Sequence, residues 1–286
     1  MSNKLIQGEG ATGGHGFMEY WLIVLWMFVL GGVVGSFLNV VVYRLPLGIS
    51  IVYPPSRCPK CGKRIAWYDN VPVLGWIALR GRCRQCQNPI SVRYPVVEAV
   101  TATMFGLLAV AELPYMSRIG FYGLYPYHLL LLCTLLCAGL IEYDGNRVPV
   151  KLFLPALVVG ITTPLICPAL RPLWSWIEFP MWEGSLAWLI GTVDGLAGLI
   201  AGAIFGGLAW GMIGGERPRG LFLGLLCVGL FLGWQAATVI AMCTAVLIAP
   251  MWLPERVSPR LRIPSSLIFG IVTLAWILAW AILASP

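Results

Sequence analysis

Apolar runs of membrane-spanning length recur along almost the whole of this 286-residue chain, and one long polar segment interrupts them. A run of about 20 apolar residues crosses a hydrocarbon core as a helix, because a helix satisfies every backbone group within itself. Charged residues make up 11% of the chain and hydrophobic ones 59%, whereas soluble domains carry roughly 25% charged residues. An ordinary soluble fold is excluded, and an all-α polytopic membrane protein is expected. Eight spans are read, at approximately Met18–Tyr43, Pro95–Glu112, Tyr125–Ile141, Leu152–Leu170, Ser185–Ile213, Gly220–Trp234, Ala236–Trp252 and Pro264–Leu283. Gly233, Trp234 and Gln235 form the only break between the sixth and the seventh.

This reading divides the chain into an outward-facing tail (1–17), a first transmembrane helix (18–43), a polar loop (44–94) and a seven-helix membrane domain (95–286). The opening MSNKLIQGEGATGGHGF lacks a compact charged region and a cleavage site, so no removable signal peptide is assigned to it. The loop carries nine basic residues: Arg44, Arg57, Lys60, Lys63, Arg64, Arg80, Arg82, Arg84 and Arg93. Seven more, Arg147, Lys151, Arg217, Arg219, Arg256, Arg260 and Arg262, follow spans three, five and seven; only Lys4, Arg118 and Arg171 fall on the other side. The positive-inside rule then places the loop in the cytoplasm and both termini outside. The net charge of +7 belongs to that rule, and no nucleic-acid partner is expected.

Within the loop, Cys58, Cys61, Cys83 and Cys86 stand as CPKC and CRQC. A paired C-x2-C pattern is the mark of a structural tetrahedral zinc site. Two disulfides would use the same residues but need an oxidising compartment, which the orientation argues against. With all four positions filled by cysteine, no open place remains for a metal-bound water, so the zinc is structural. Cys133, Cys137, Cys167, Cys227 and Cys243 lie in or beside apolar spans and read as small buried hydrophobes.

Gly35-Ser36-Phe37-Leu38-Asn39-Val40-Val41-Val42-Tyr43-Arg44-Leu45-Pro46 resembles the GSFLNVVIYRLP signature of the prepilin leader peptidases. The cysteine loop, ending in Ser91, Arg93, Tyr94, Pro95 and Glu98, is similar to that family's cytoplasmic zinc domain, and the match covers about 31–102. Pro149 and Pro155, then Gly229, Gly233, Trp234 and Gln235, then Arg262, Ile263 and Pro264 extend it more weakly along the chain. The resemblance implies a multi-pass enzyme of the bacterial inner membrane in contact with lipid. Such an enzyme cuts the basic leader from a prepilin or pseudopilin by aspartic-protease chemistry and methylates the new N-terminus from S-adenosylmethionine. Its methyl-transfer site is expected around Gly35, Asn39 and Arg44.

The catalytic pair departs from the family pattern. The first aspartate position falls on Glu142, with Asp144 two residues later; the second falls on Leu221, which holds neither proton nor water. Glu216, five residues upstream in GGERPRG, is the only nearby acid, and a solvated loop charge is the plainer reading of it. The alternative is therefore a catalytically degenerate member that retains only methyl transfer or pilin binding. Asp194 reads as a neutral acid bonded to a neighbouring helix, and Glu98 as the partner of Arg93 or Arg44. His128 reads as an interfacial residue, and His15 lies in the tail.

Overall fold

A computed structural model describes residues 15–113, 123–166, 187–213, 219–249 and 264–283. Eight helices follow in order: α1 (His15–Arg44), α2 (Leu74–Ala78), α3 (Arg93–Glu112), α4 (Tyr125–Tyr143), α5 (Leu154–Ile166), α6 (Ala187–Ile213), α7 (Arg219–Ile248) and α8 (Ser265–Leu283). Six of them, all but α2 and α5, are long and apolar enough to cross a membrane. The chain is a multi-pass membrane protein. The eight expected spans map onto seven helices, because the sixth and seventh form one helical element bent at Gly233. There φ is 83° and ψ 173°, a conformation that glycine alone adopts readily. The fourth span corresponds to the shorter α5.

Close approach of backbones holds this bundle together, as expected where lipid removes the hydrophobic drive between helices. Gly31 and Gly35 of α1 leave no room for a side chain: a Cβ would stand 2.9 Å from the Cα of Ala102 and of Glu98 on α3. Gly198 and Gly229 likewise bring α6 and α7 together, backbone against backbone. Threonines inside the spans spend their hydroxyls on their own helices, as Thr101 does on Val97 O (2.8 Å) and Thr273 on Phe269 O (2.9 Å). α4 is the most enclosed helix, with Leu131, Leu135, Ala138 and Ile141 all buried. It packs on α8, α7, α1 and α3.

Two buried polar residues depart from the sequence reading. His128 is not interfacial: it is fully buried, with Nδ1 2.5 Å from Glu112 Oε1. This pair joins the last turn of α3 to the first of α4. Glu98 does not meet an arginine; its Oε2 accepts the Val73 N–H at 2.7 Å. Arg93 is committed elsewhere, to Asp144. Asp194 faces the bend in α7, where a side chain at Gly233 would strike its carboxylate. Of the cysteines expected to be buried, Cys137 and Cys227 are and Cys133 is half-buried, but Cys243 is exposed on α7; Cys167 lies outside the described residues.

The C-terminus of α1, the N-termini of α3, α7 and α8 and the C-terminus of α4 meet at one end of the bundle. Asn39 bonds to Tyr94 O, Arg93 to Asp144, and Gly220 to Glu142, while Gly139 packs on Leu267. The cysteine loop sits at this end.

Candidate functional site: a thiol cluster and a capped glutamate

The cysteine loop contains two near-copies of one turn. In the first, the Cys58 N–H bonds to Lys63 O (2.9 Å) and the Gly62 N–H to Cys58 O (2.9 Å). In the second, the Cys83 N–H bonds to Asn88 O (2.8 Å) and the Gln87 N–H to Cys83 O (2.9 Å). The fifth residue of each turn, Gly62 or Gln87, is left-handed, with φ of 69° and 54°. Each turn thereby aims two thiols the same way, and all four sulfurs lie within 4.8 Å of one another. Cys58 Sγ and Cys86 Sγ are 3.7 Å apart. The cluster can hold a metal ion. Backbone hydrogen bonds at Cys61 and Lys60 pull the Cys58 thiol down to about 6. Cys86, despite a backbone bond at Asn88, is pushed up to about 11 by burial and by the thiols around it. Sulfurs this close do not all shed their protons without a cation between them.

The acid site lies at the end of α4. That helix closes on Gly145 (φ 76°), whose N–H returns to Glu142 O (2.9 Å) while the Asn146 N–H returns to Ile141 O (3.0 Å). This glycine-capped ending fixes where Glu142 and Asp144 point. Glu142 Oε1 accepts the N–H of Gly220, in the first turn of α7, at 3.1 Å. Ser266, in the first turn of α8, lies beside the same carboxylate, with its Oγ and Glu142 Oε1 both against Gly220. The Ser266 hydroxyl stays buried without meeting hydrogen-bond geometry. Two helix N-termini thus converge on one carboxylate, an arrangement that suits negative charge.

Asp144 turns to a different partner, Arg93, at 2.7 Å. Partial burial nudges its carboxyl upward and the Arg93 cation pulls it back. Glu142 and Asp144, two residues apart, therefore engage separate partners. Leu221 is 2% exposed, packed directly after the Gly220 that touches Glu142. Glu216 lies outside the described residues. Gly35 packs on α3, and Asn39, 3% exposed, donates to Tyr94 O at 3.2 Å while its Oδ1 has no partner. Arg44 donates to Ser50 O at 3.0 Å. Sequence reasoning missed Ser266 and Gly220 as partners of Glu142. The Pro264-Ser265-Ser266 start of the last span was the available signal, since serine at a helix start brings polar groups to that end.

A family profile described as Bacterial Peptidase A24 N-terminal domain matches residues 29–112. The prepilin leader peptidase/N-methyltransferase of Klebsiella pneumoniae is 35% identical over 225 residues, 73% of this chain and 85% of the relative. The chain belongs to the prepilin leader peptidase/N-methyltransferase family. The Dickeya chrysanthemi protein of that name is 30% identical over 290 residues, with 89% of each chain covered. The Myxococcus xanthus one is 46% identical over 141 residues, 49% of this chain and 40% of that relative. No solved structure matches at a significant level.

Proposed function

We propose that this chain processes prepilin- or pseudopilin-like substrates at the loop end of the bundle, the cytoplasmic face of a bacterial inner membrane. It removes a leader by carboxylate chemistry centred on Glu142 and methylates the new N-terminus. The observation that carries this reading is the convergence of Gly220 and Ser266 on Glu142, at the position of the family's first acid. Glu142 is the water-activating carboxylate, and Glu216 supplies the second, protonated acid that polarises the peptide carbonyl. Two close carboxylates divide those roles because both do not ionise cheaply. Asp144, tied to Arg93, positions the loop end and takes no part in bond cleavage.

The thiol cluster holds zinc. Zn–S bonds of about 2.3 Å put tetrahedral thiolates about 3.8 Å apart, and the Cys58–Cys86 spacing of 3.7 Å agrees. The ion folds the loop and has no catalytic step. S-adenosylmethionine is the methyl donor that the family's name implies. Gly35 and Asn39 do not form a cradle for it, since both are buried against α3.

A second reading, a member that binds or methylates pilin without cutting it, is favoured by one observation: the second acid position is the buried Leu221. Cleavage of a purified prepilin by the full chain separates the two. Cutting that is lost in Glu142→Gln and Glu216→Gln and kept in Asp144→Asn supports the first. Absence of cutting that Leu221→Asp restores supports the second.

A further inference from the structure

The Trp67–Ala78 stretch of the cysteine loop folds back into the bundle as a V. One arm is the 3-10 turn Trp67–Asn70, the other is α2, and Pro72 sits near the tip. Pro72 Cβ lies 3.3 Å from where a side chain on Gly32 would begin, so the tip rests on bare backbone of α1. Asn39, seven residues closer to the loop end, bonds to Tyr94 O in the first turn of α3. At 1.5 Å per residue, the tip lies about 10 Å beneath the level where α3 starts. α3 is 20 residues long, about 30 Å, which is the thickness of a hydrocarbon core. The V therefore dips below the membrane boundary.

An open backbone donor at that depth is costly, and the three donors that follow Pro72 are answered. The Val73 N–H bonds to Glu98 Oε2 at 2.7 Å, Leu74 N–H to Pro72 O at 2.6 Å, and Gly75 N–H to Val71 O at 2.8 Å. Val73 holds φ 60° and ψ −50°, which β-branched residues avoid; the Leu74–Pro72 bond closes it as a γ-turn. Glu98 thus serves as the acceptor that makes the turn tolerable inside the bundle. The outer face of the V is apolar and aromatic: Trp67 is 82% exposed, Leu74 64%, Ile77 58% and Tyr68 52%. Behind the V, Arg84 binds Asp69 through Nε and Nη2 and stands 5.4 Å over the Tyr68 ring. Trp76 Nε1 donates to Ile90 O at 3.0 Å. The V and the second cysteine turn form one unit.

We propose that Trp67–Ile77 is a re-entrant membrane anchor whose partner is the bilayer itself. Leu74 and Ile77 enter the acyl region, while Trp67, Tyr68 and Arg84 settle at headgroup level. The anchor fixes the height of the thiol cluster over the loop end of the bundle, and it stands independently of the proposed chemistry.

The test places a photoreactive phenylalanine analogue at Trp67, at Ile77 or at Gln85, an exposed position in the second cysteine turn, in the full chain. Each protein is reconstituted in vesicles of phosphatidylethanolamine and phosphatidylglycerol, illuminated and examined by mass spectrometry. The anchor predicts lipid adducts about tenfold more frequent at Trp67 and Ile77 than at Gln85, as expected for groups immersed against groups in water. Glu98→Leu, with its metal content unchanged, should reduce adducts at Ile77 severalfold. Equal labelling at the three positions, or adducts to a second copy or a pilin instead of lipid, would overturn the proposal.

Discussion

Replacing Gly220 with alanine tests how much of the acid site depends on one missing side chain. The Gly220 N–H donates to Glu142 Oε1 at 3.1 Å. An alanine methyl would overlap that oxygen and stand 2.8 Å from Ser266 Oγ. Carbon and oxygen relax to contact near 3.5 Å, so Glu142 must retreat by about 1 Å. Its carboxylate ends a flexible side chain, so it swings aside and the helices stay together. The stability lost is that of one hydrogen bond, roughly 1–3 kcal/mol. Helix propensity returns up to about 1 kcal/mol. The net loss, about 0–2 kcal/mol, lowers the thermal midpoint by at most a few degrees. A misplacement of about 1 Å at a reacting group, by contrast, costs on the order of 10²-fold in rate. Thermal unfolding in detergent and initial rates of prepilin cleavage read the two separately. Gly220→Ala should keep most of its stability and lose most of its activity. A rate within about threefold of wild type would refute the role given to Glu142's position. A collapsed fold would assign Gly220 to helix packing instead.

Two further outcomes concern stability and metal. Glu112→Ala strands the buried His128 Nδ1, and leaving a buried polar group without its partner costs about 1–3 kcal/mol. Glu112→Leu combined with His128→Phe should cost less than Glu112→Ala alone, as thermal unfolding of the three proteins will reveal. Cys83→Ser removes one ligand, and metal analysis of the purified chain should fall from about one zinc per molecule to well below that. Full retention of the metal would contradict a four-thiolate site.

The helices were legible because lipid allows few solutions. The apolar runs ending at Tyr43, Glu112 and Ile213 match α1, α3 and α6 to within a residue at those ends. Gly233 was legible as a break, but whether two helices separate or bend there depends on packing. That packing includes Asp194 on α6, which no local pattern encodes. The thiol cluster was readable from spacing alone, since two short turns with left-handed fifth residues bring four sulfurs together. Partnerships between distant residues were not readable. His128 sits sixteen residues from Glu112, and Gly220 lies seventy-eight residues from Glu142. Arg93 was expected to pair with Glu98, but the glycine-capped end of α4 presents Asp144 to it, and Glu98 takes a backbone N–H.

The most direct measurement is prepilin cleavage by the purified full chain, wild type against Glu142→Gln. The amide keeps the size of the side chain and removes its capacity to activate water. The account predicts leader removal by wild type and a loss on the order of 10³-fold or more in the variant, as for removal of a catalytic group. Undiminished cutting by Glu142→Gln would contradict it.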